Sequence, residues 1–501
     1  MLKRLALENF QSFGLPEDIR LAPLTLIFGP NSSGKSALGR AVRLAIQTVR
    51  KGEGDFFNGE LVKLLDLPTS IYNRDLGRDL SIAIEAPYLL FGEKKRLEQS
   101  GIPNLWAPQT ITVGIRFSTD GLDFVQSISL TFSMAPFNEQ ERAENLSGEL
   151  ETTLLYQAVD DDETKAWKFT DMTGPGTDKF LEYLNASATR LNRDQGRLDE
   201  STLGIEGFGE TEIRNLATLV SRQGIGTPRA EGAATRWIVP VRKSLDVAIG
   251  PGGFAHIGPL RSIDDSGVHS PADPRSVTSD SSNIQEFLVS MAREVQLHIS
   301  DALMYLTEGR HSIHFADIAI EDNKIPLPSY KQAFVRNEFS GTATRFADVG
   351  AGIAQALPIA AQLAAMANPR ESRNGATLWV EQPELHLHPL MQQRMADLMI
   401  MSVLDQAQKF EVREEFPSLT RWRPTQVIAE THSENIILRL QKRIRDGWID
   451  PKQVAVYYVD RFPGENSSHV SELRLNADGQ FIDAWPVSFT GVRSADLFGE
   501  E

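Results

Sequence analysis

The stretch Leu24-Thr25-Leu26-Ile27-Phe28-Gly29-Pro30-Asn31-Ser32-Ser33-Gly34-Lys35-Ser36 sets an apolar strand directly before a complete G-x4-G-K-S loop. Helical periodicity follows from about Lys35 to Arg50, so the order is strand, glycine-rich loop, helix. Glycines let backbone N–H groups turn inward around phosphate oxygens, and the helix presents its positive dipole end to the same anion. In this setting Gly29, Pro30, Asn31, Ser32, Ser33 and Gly34 form a phosphate cradle. Lys35 reaches the β- and γ-phosphates, and the Ser36 hydroxyl ligates a metal ion. The ligands implied are ATP and Mg²⁺. A loop with incidental glycines would leave the Lys-Ser pair unexplained.

Two further strand ends carry polar chemistry. Thr377-Leu378-Trp379-Val380-Glu381-Gln382-Pro383-Glu384-Leu385-His386-Leu387-His388-Pro389 is an apolar strand ending in a carboxylate. Such a strand delivers an acid to the metal side of the phosphates, which makes Glu381 the expected Mg²⁺ partner of Ser36. Two alternatives stand beside this. Glu381, Glu384, His386 and His388 can be read as a metal site of their own, since His-x-His can chelate, or as simple surface acidity. The third segment, Val427-Ile428-Ala429-Glu430-Thr431-His432-Ser433-Glu434, places His432 at a strand's C-terminal end, the edge where open α/β sheets bind ligands. There it contacts the γ-phosphate or orients water, although a structural histidine is commoner than a catalytic one.

Around these motifs the chain reads as α/β. Strands are expected at Leu5 to Phe10 and Leu24 to Phe28, with a turn around Gly14 to Asp18 between them. Period-two runs at Leu80 to Glu85, Thr110 to Phe117 and Ser127 to Phe132 imply an antiparallel sheet. Val159 to Thr164 and Arg261 to Asn283 are polar and turn-rich and read as exposed loops. Ile284, Phe287, Leu288, Met291, Val295 and Ile299 recur at helical spacing, giving one amphipathic helix capped by Asn283 that packs on the rest of the domain. From Gly341 helices (Ile353 to Met366, Pro389 to Leu404, Glu434 to Arg445) alternate with buried strands (Thr377 to Val380, Gln426 to Ala429, Val454 to Val459), the pattern of a parallel sheet with crossovers.

Composition bounds the function. With 501 residues, 41% hydrophobic and 24% charged, the chain is a folded globular protein, not a disordered or fibrous one. The absence of cysteine removes disulfides, thiolate metal sites and thiol nucleophiles. No apolar run reads as a signal peptide or is long enough to span a bilayer, so a cytoplasmic location with no membrane partner is expected. A net charge of −16 repels nucleic acid at long range. The basic groups Arg40 to Arg50 and Lys442, Arg443 and Arg445 read as solvated helix faces; they leave DNA as an allowed partner that the charge balance does not argue for.

In this order the motifs resemble ABC/SMC-type ATPases, and more narrowly the OLD-like ATPases common in bacterial anti-phage defence. The likeness covers roughly residues 1–90 and 340–490. LALENFQSFG (5–14) looks like the family's first strand, and Asp348-Val349-Gly350-Ala351-Gly352-Ile353-Ala354-Gln355 like its divergent signature motif. EQPELHLHP resembles the Walker B and D-loop elements, and ETHSE the switch-histidine segment; HIGPLR (256–261), VAVYYVD and DGQFIDAWP are similar to one branch of these ATPases. The resemblance implies an ABC-type P-loop ATPase head, with mixed and parallel sheet and flanking helices, split by a large mixed α/β insertion. Its parts would be an N-terminal lobe (1–90), the insertion (91–340), a C-terminal lobe (341–460) and a C-terminal extension (461–501).

It also implies a homodimer or higher oligomer with composite sites, in which Gly350, Gly352 and Gln355 of one subunit meet the ATP of another. Glu381, Gln382, Glu384 and His432 would carry catalysis. Two departures stand out: Gln382 replaces the acid that usually serves as general base, and an amide cannot take a proton at neutral pH, so Glu384 or His432 would act instead. No glutamine occurs between Arg50 and Glu98, which leaves Asn73 as a weak substitute for the usual Q-loop residue. About 70 residues follow His432, too few for the Toprim nuclease that OLD proteins carry, so any nuclease or toxin effector would be a separate chain. A non-hydrolysing ATP-clamped scaffold is the second reading. A RecF- or SMC-like repair ATPase is the third, although the insertion lacks long heptad runs.

Overall fold

The computed structural model describes residues 1–51, 56–87, 106–117, 125–136, 150–158, 165–173, 248–249, 252–261, 276–318, 321–322, 325–326, 330–368, 375–405, 419, 422–461, 464 and 466–484. The polar segment 159–164 and most of 261–283 lie outside these residues.

The first strands are β1 (Arg4–Glu8), β2 (Glu17–Arg20) and β3 (Leu24–Phe28), followed by helix α1 (Lys35–Lys51) and the short α2 (Leu67–Ser70). Five strands follow: β4 (Leu80–Pro87), β5 (Trp106–Phe117), β6 (Val125–Pro136), β7 (Leu150–Ala158) and β8 (Lys165–Thr173). They join β1 and β2 in an antiparallel sheet of order β2-β1-β4-β5-β6-β7-β8. Along β4 buried and half-buried residues alternate, as expected when one face of an antiparallel sheet covers a core. The turn expected at Gly14 to Asp18 is shorter than that, because Glu17 already pairs with Leu7.

Next come β9 (Phe254–Ile257), α3 (Ile284–Ser290), α4 (Arg293–Leu306), β10 (His311–Ile318), β11 (Glu321–Asp322), β12 (Ile325–Pro326), β13 (Tyr330–Asn337) and β14 (Ala343–Thr344). The C-terminal part supplies α5 (Ala351–Ala367), β15 (Thr377–Glu381), α6 (Pro389–Val403), β16 (Gln426–Glu430), α7 (Glu434–Arg445), β17 (Val454–Asp460) and β18 (His469–Glu472). The second large sheet runs β18-β17-β3-β16-β15-β9, parallel throughout except for the antiparallel edge β18.

Strand β3 shows why this sheet lies in the middle: all of its residues are buried. Leu24, Leu26 and Phe28 face a core built with α3 to α7, whereas Ile27 faces a second core built with α1 and the antiparallel sheet. A strand covered on both faces carries apolar residues on both, which is how the centres of β3, β15 and β16 read. This is the expected α/β architecture, a parallel and an antiparallel sheet with flanking helices.

Several expectations need correction. Within residues 91–340, β9 is an edge strand of the parallel sheet and α3 and α4 pack into its core. The helix expected over 284–299 is two helices, because Met291 and Ala292 adopt extended ψ values of 145° and 146°. Asn283 does not cap it: its Oδ1 accepts from the Thr278 N–H at 2.7 Å, tying a preceding turn. The basic group on α7 is not one solvated face. Arg443 is buried, donating to both oxygens of the fully buried Asp397 at 2.7 and 3.0 Å, and its guanidinium lies 3.4 Å from the Trp448 ring centroid. Only Lys442 and Arg445 point outward. Likewise Arg40 is exposed, while Arg43 on the same helix is buried.

Candidate nucleotide site

The loop after β3 has a backbone shape that suits a phosphate. Gly29 has φ 147° and Gly34 φ 113°, values that side chains rarely adopt, and a Cβ on Gly29 would lie 2.1 Å from the Val459 carbonyl oxygen. Ser32 takes φ 61°, the left-handed region that turns successive N–H groups to one side. The Ser33 hydroxyl is buried with no hydrogen-bond partner among the described residues, an orphaned polar atom in the cradle itself. Behind the loop, Ser468 Oγ donates to the Ser33 carbonyl at 2.6 Å, so the segment before β18 holds the cradle's shape. Asn31 and Ser32 are exposed at its tip.

Lys35 is buried, and its Nζ donates to the carbonyls of Gly29 (3.0 Å) and Pro30 (2.7 Å). Burial lowers its pKa, and the charges of Glu430 and Glu384 pull it back up. A lysine held on loop carbonyls needs only a rotation of its stem to exchange them for phosphate oxygens. The Ser36 hydroxyl donates to a carboxylate at 2.7 Å, and that carboxylate is Glu430. The expected partner was Glu381, and the structure puts the other acid on Ser36.

Strand order explains the exchange. β16 is the direct neighbour of β3, whereas β15 lies one strand further out, and in register Glu381 sits beside Glu430 at the two strand ends. Glu381 is bound elsewhere: its Oε1 accepts from His256 Nε2 at 2.8 Å and from Arg43 Nη2 at 3.2 Å. Arg43 Nη1 donates to His256 Nδ1 at 3.1 Å. Because arginine can only donate, this bond fixes the neutral tautomer with the proton on Nε2. Burial lowers the His256 pKa in the same sense. Burial alone would raise Glu381, but the His256 hydrogen bond and the Arg43 charge outweigh it and hold Glu381 below the usual carboxylate range. Glu430 goes the other way: burial, then the charge of Glu381, push it up to about 7. Two adjacent carboxylates with opposed environments cannot both ionise cheaply.

Gln382 takes φ 47°, left-handed for a non-glycine residue, and its N–H donates to the Glu430 carbonyl at 2.7 Å. Such strain clusters at functional sites. Both oxygens of Glu384 are engaged, by Thr431 Oγ1 and by the His432 N–H, each at 2.7 Å. Burial raises its pKa. Glu384 thus fastens the His432 segment to the end of β15. The His432 imidazole is half-buried, its pKa lowered first by burial and then by the charge of Lys35.

The chelating alternative finds no support: among the described residues no group of three or more His, Asp or Glu side chains is placed to hold a metal ion. His386 and His388 are exposed, and His388 Nδ1 accepts from the Leu390 N–H at the start of α6. Mg²⁺ instead fits the Ser36 hydroxyl and the acids beside it, since it prefers a few hard oxygens and keeps its waters and phosphates.

Gly350 caps α5 from an extended conformation (φ −61°, ψ 145°) and is exposed, and a Cβ added there would meet nothing within 4 Å. Gly352 is half-buried near the His386 carbonyl. Gln355 points inward: its Nε2 donates to the Arg261 carbonyl at 2.8 Å and its Oε1 accepts from Arg261 Nη1 at 3.3 Å. Asn73 is exposed on a turn with φ 51°.

Two family models match the chain. One, described as an AAA ATPase domain, matches residues 273–437, and another, described as an AAA domain, matches residues 4–75. Over these two segments the chain is similar to AAA-type ATPase domains. The two matched segments contain the P-loop and the β15 and β16 ends, the same parts that the fold brings together. No curated protein matches the chain by sequence. Distant solved structures include an SMC head bound to the C-terminal winged-helix domain of ScpA (12% identity, 95% of this chain and 98% of that one, TM-score 0.44). Others are an SMC head domain from Thermotoga maritima (11%, 95% and 99%, 0.36) and an SMC head with extended coiled coil bound to ScpA derived from Pyrococcus furiosus (12%, 94% and 96%, 0.38).

Four residues of this site escaped the motif reading. Arg43 lies two helical turns after Ser36 on one face of α1, a spacing visible in sequence. Glu430 stands in the ETHSE segment, but its closeness to Ser36 needs the strand order. His256 and Arg261 flank the end of β9; Arg261 donates to the carbonyls of Glu381 and Gln382, and burial lowers its pKa to about 10. Packing of α1 on this group is close. A Cβ on Gly39 would lie 2.6 Å from Trp379 Nε1 and 2.9 Å from Glu430 Oε1. Gly39→Val is therefore expected to lower stability by about 1–3 kcal/mol through overpacking, read as a lower midpoint in chemical denaturation; an unchanged midpoint would refute this packing.

Proposed function

We propose that the chain binds and hydrolyses ATP as an ABC/SMC-like ATPase, and that it works as a sensor or regulator of a separately encoded effector, a nuclease or toxin, in anti-phage defence. The observation that carries the ATPase reading is the arrangement of Lys35, Ser36, Glu430, Glu384 and His432 around one P-loop at the C-terminal edge of the parallel sheet. Lys35 binds the phosphates, Ser36 and an acid from the Glu381–Glu430 pair hold Mg²⁺, and bound Mg²⁺ neutralises charge on the β- and γ-oxygens. The reaction is ATP plus water to ADP plus phosphate. The effector and defence roles rest on the resemblance of the motifs alone. Among the described residues no helix is long and apolar enough to cross a membrane.

The second subunit enters through α5. Its exposed N-terminus has no side-chain cap at Gly350, and free N–H groups there suit the γ-phosphate of a nucleotide held by a partner. Gly350→Asp tests this without harming the fold, because aspartate is a favoured helix cap while its charge repels a phosphate. Light scattering should show ATP·Mg²⁺ driving wild-type monomers into dimers and leaving Gly350→Asp monomeric. A variant that dimerises as readily as the wild type would sink the composite site.

A scaffold that seldom turns over is the second reading, favoured by Gln382 in place of an acid. Turnover of the wild type and of Gln382→Glu separates the two. Wild-type hydrolysis supports the enzyme, and hydrolysis that appears only in Gln382→Glu supports the scaffold.

A further inference from the structure

We propose that Glu430 is the protein carboxylate that holds Mg²⁺ together with Ser36, and that Glu381, at the strand end where such an acid is sought by motif, is a positioning residue tied into a buried Arg43–His256–Glu381 chain. This rests on the reading of the loop as an ATP site and assigns the acid within it.

Three observations converge. The first is contact: Ser36 Oγ donates to Glu430 Oε2 at 2.7 Å, so the hydroxyl and the carboxylate already share the position a small hard cation would take. The second is aim. Trp379 Nε1 donates to the other oxygen, Oε1, at 2.7 Å, which fixes the carboxylate plane and turns Oε2 toward the loop. Outer partners of this kind orient metal ligands. The third is charge. Glu430 is 2% exposed, its two hydrogen-bond donors are a hydroxyl and an indole, both neutral, and the charges of Lys35 and Arg43 act on it without a hydrogen bond. A buried carboxylate is costly unless a cation answers it, and a divalent ion arriving with the triphosphate does so.

Glu381 stands in the opposite condition. Its Oε1 already takes a donor from the Arg43 guanidinium and one from His256, so its charge is answered by the protein. Both bonds fall on Oε1 and hold the carboxylate to His256 and to Arg43, itself buried. Topology agrees: neighbouring strands lie about 4.8 Å apart, so Glu381 starts one strand further from the loop than Glu430. Arg43, His256 and Glu381 then act as a brace that joins α1, β9 and β15 beneath the metal.

The test reads metal binding directly. Mn²⁺ replaces Mg²⁺ in the intact chain with a non-hydrolysable ATP analogue, its binding is followed by electron paramagnetic resonance, and the analogue's affinity is measured with Mg²⁺ and with EDTA. Glu430→Gln should weaken Mn²⁺ about 10- to 100-fold and abolish the gain in nucleotide affinity that Mg²⁺ gives, while affinity in EDTA stays within about twofold of wild type. Glu381→Gln should keep Mn²⁺ affinity within a few-fold. Glu430→Asp, which keeps the charge but retracts the oxygens by one methylene, should fall between the two and covers the case in which the amide does not fold. Loss of Mn²⁺ in Glu381→Gln with retention in Glu430→Gln or Glu430→Asp overturns the assignment. A folded wild type that binds no nucleotide in either buffer overturns the ATP site on which it rests.

Discussion

Lys35→Ala is expected to reduce ATP turnover at least about 100-fold and to weaken ATP binding by about 10-fold or more, with little change in thermal stability. The ammonium is the one side-chain cation of the loop and lies against carbonyls of its own cradle, at 3.0 and 2.7 Å, so its natural substitutes are phosphate oxygens. Its removal takes away a charge-assisted contact that strengthens as negative charge builds on the transferring phosphoryl group, which is why turnover suffers more than binding. Stability is spared for a reason the structure also gives. Burial lowers the Lys35 pKa, so the folded protein gains little from holding that charge in place. Turnover measured beside a thermal melt separates a lost contact from a lost fold. A variant that hydrolyses ATP at the wild-type rate would contradict the role of the loop.

Asp397→Ala should destabilise the protein by about 3–5 kcal/mol. Asp397 lies on α6, is fully buried, and accepts from Arg443 and Arg439 of α7 and from Tyr305 Oη of α4 at 2.7 Å. One carboxylate therefore pins three helices of the larger core behind the parallel sheet. Alanine leaves the buried Arg443 guanidinium with only its longer contact to Asp446 at 3.4 Å, and a poorly compensated buried charge costs far more than the pair contributes over an apolar replacement. Arg443 and Arg439 overcome the burial that would raise the Asp397 pKa and hold it below the usual value of 3.8. Because the folded value is depressed, the stability it supplies is fully present above pH 3.8 and is lost as pH falls through the lower folded value. Urea denaturation at neutral pH measures the loss; a midpoint within error of wild type would mean that the three helices are held by apolar packing alone.

Much of this molecule was legible in the residues. The strand-loop-helix of β3 and α1, the strands ending at Glu381 and Glu430, and helix α7 follow from local periodicity and sit within a residue or so of where it places them. What was not legible depends on contacts between distant segments. β9 is a short buried strand set among glycines and prolines, with too few residues to show a period, so its place at the sheet edge could not be seen. The helical spacing of 284–299 continues through Met291 and Ala292, and nothing in it marks the extended turn between α3 and α4. At the site, the same limit decided which acid meets Ser36. Periodicity puts an acid at the end of each of two strands, and only the order of those strands around β3 shows that Glu430 is the nearer. Arg43 and Arg443 illustrate the converse: each belongs to a basic run that reads as solvated, and each is buried because a carboxylate from another element waits for it.

The most direct measurement is the structure of the intact chain with Mg²⁺ and a non-hydrolysable ATP analogue. The triphosphate should lie in the loop from Gly29 to Gly34, with Lys35 on its terminal phosphates, Ser36 on the metal, and the ends of β15 and β16 facing it. A triphosphate bound elsewhere on the chain, or a folded sample that takes up none, would contradict the convergence of these distant segments on one nucleotide.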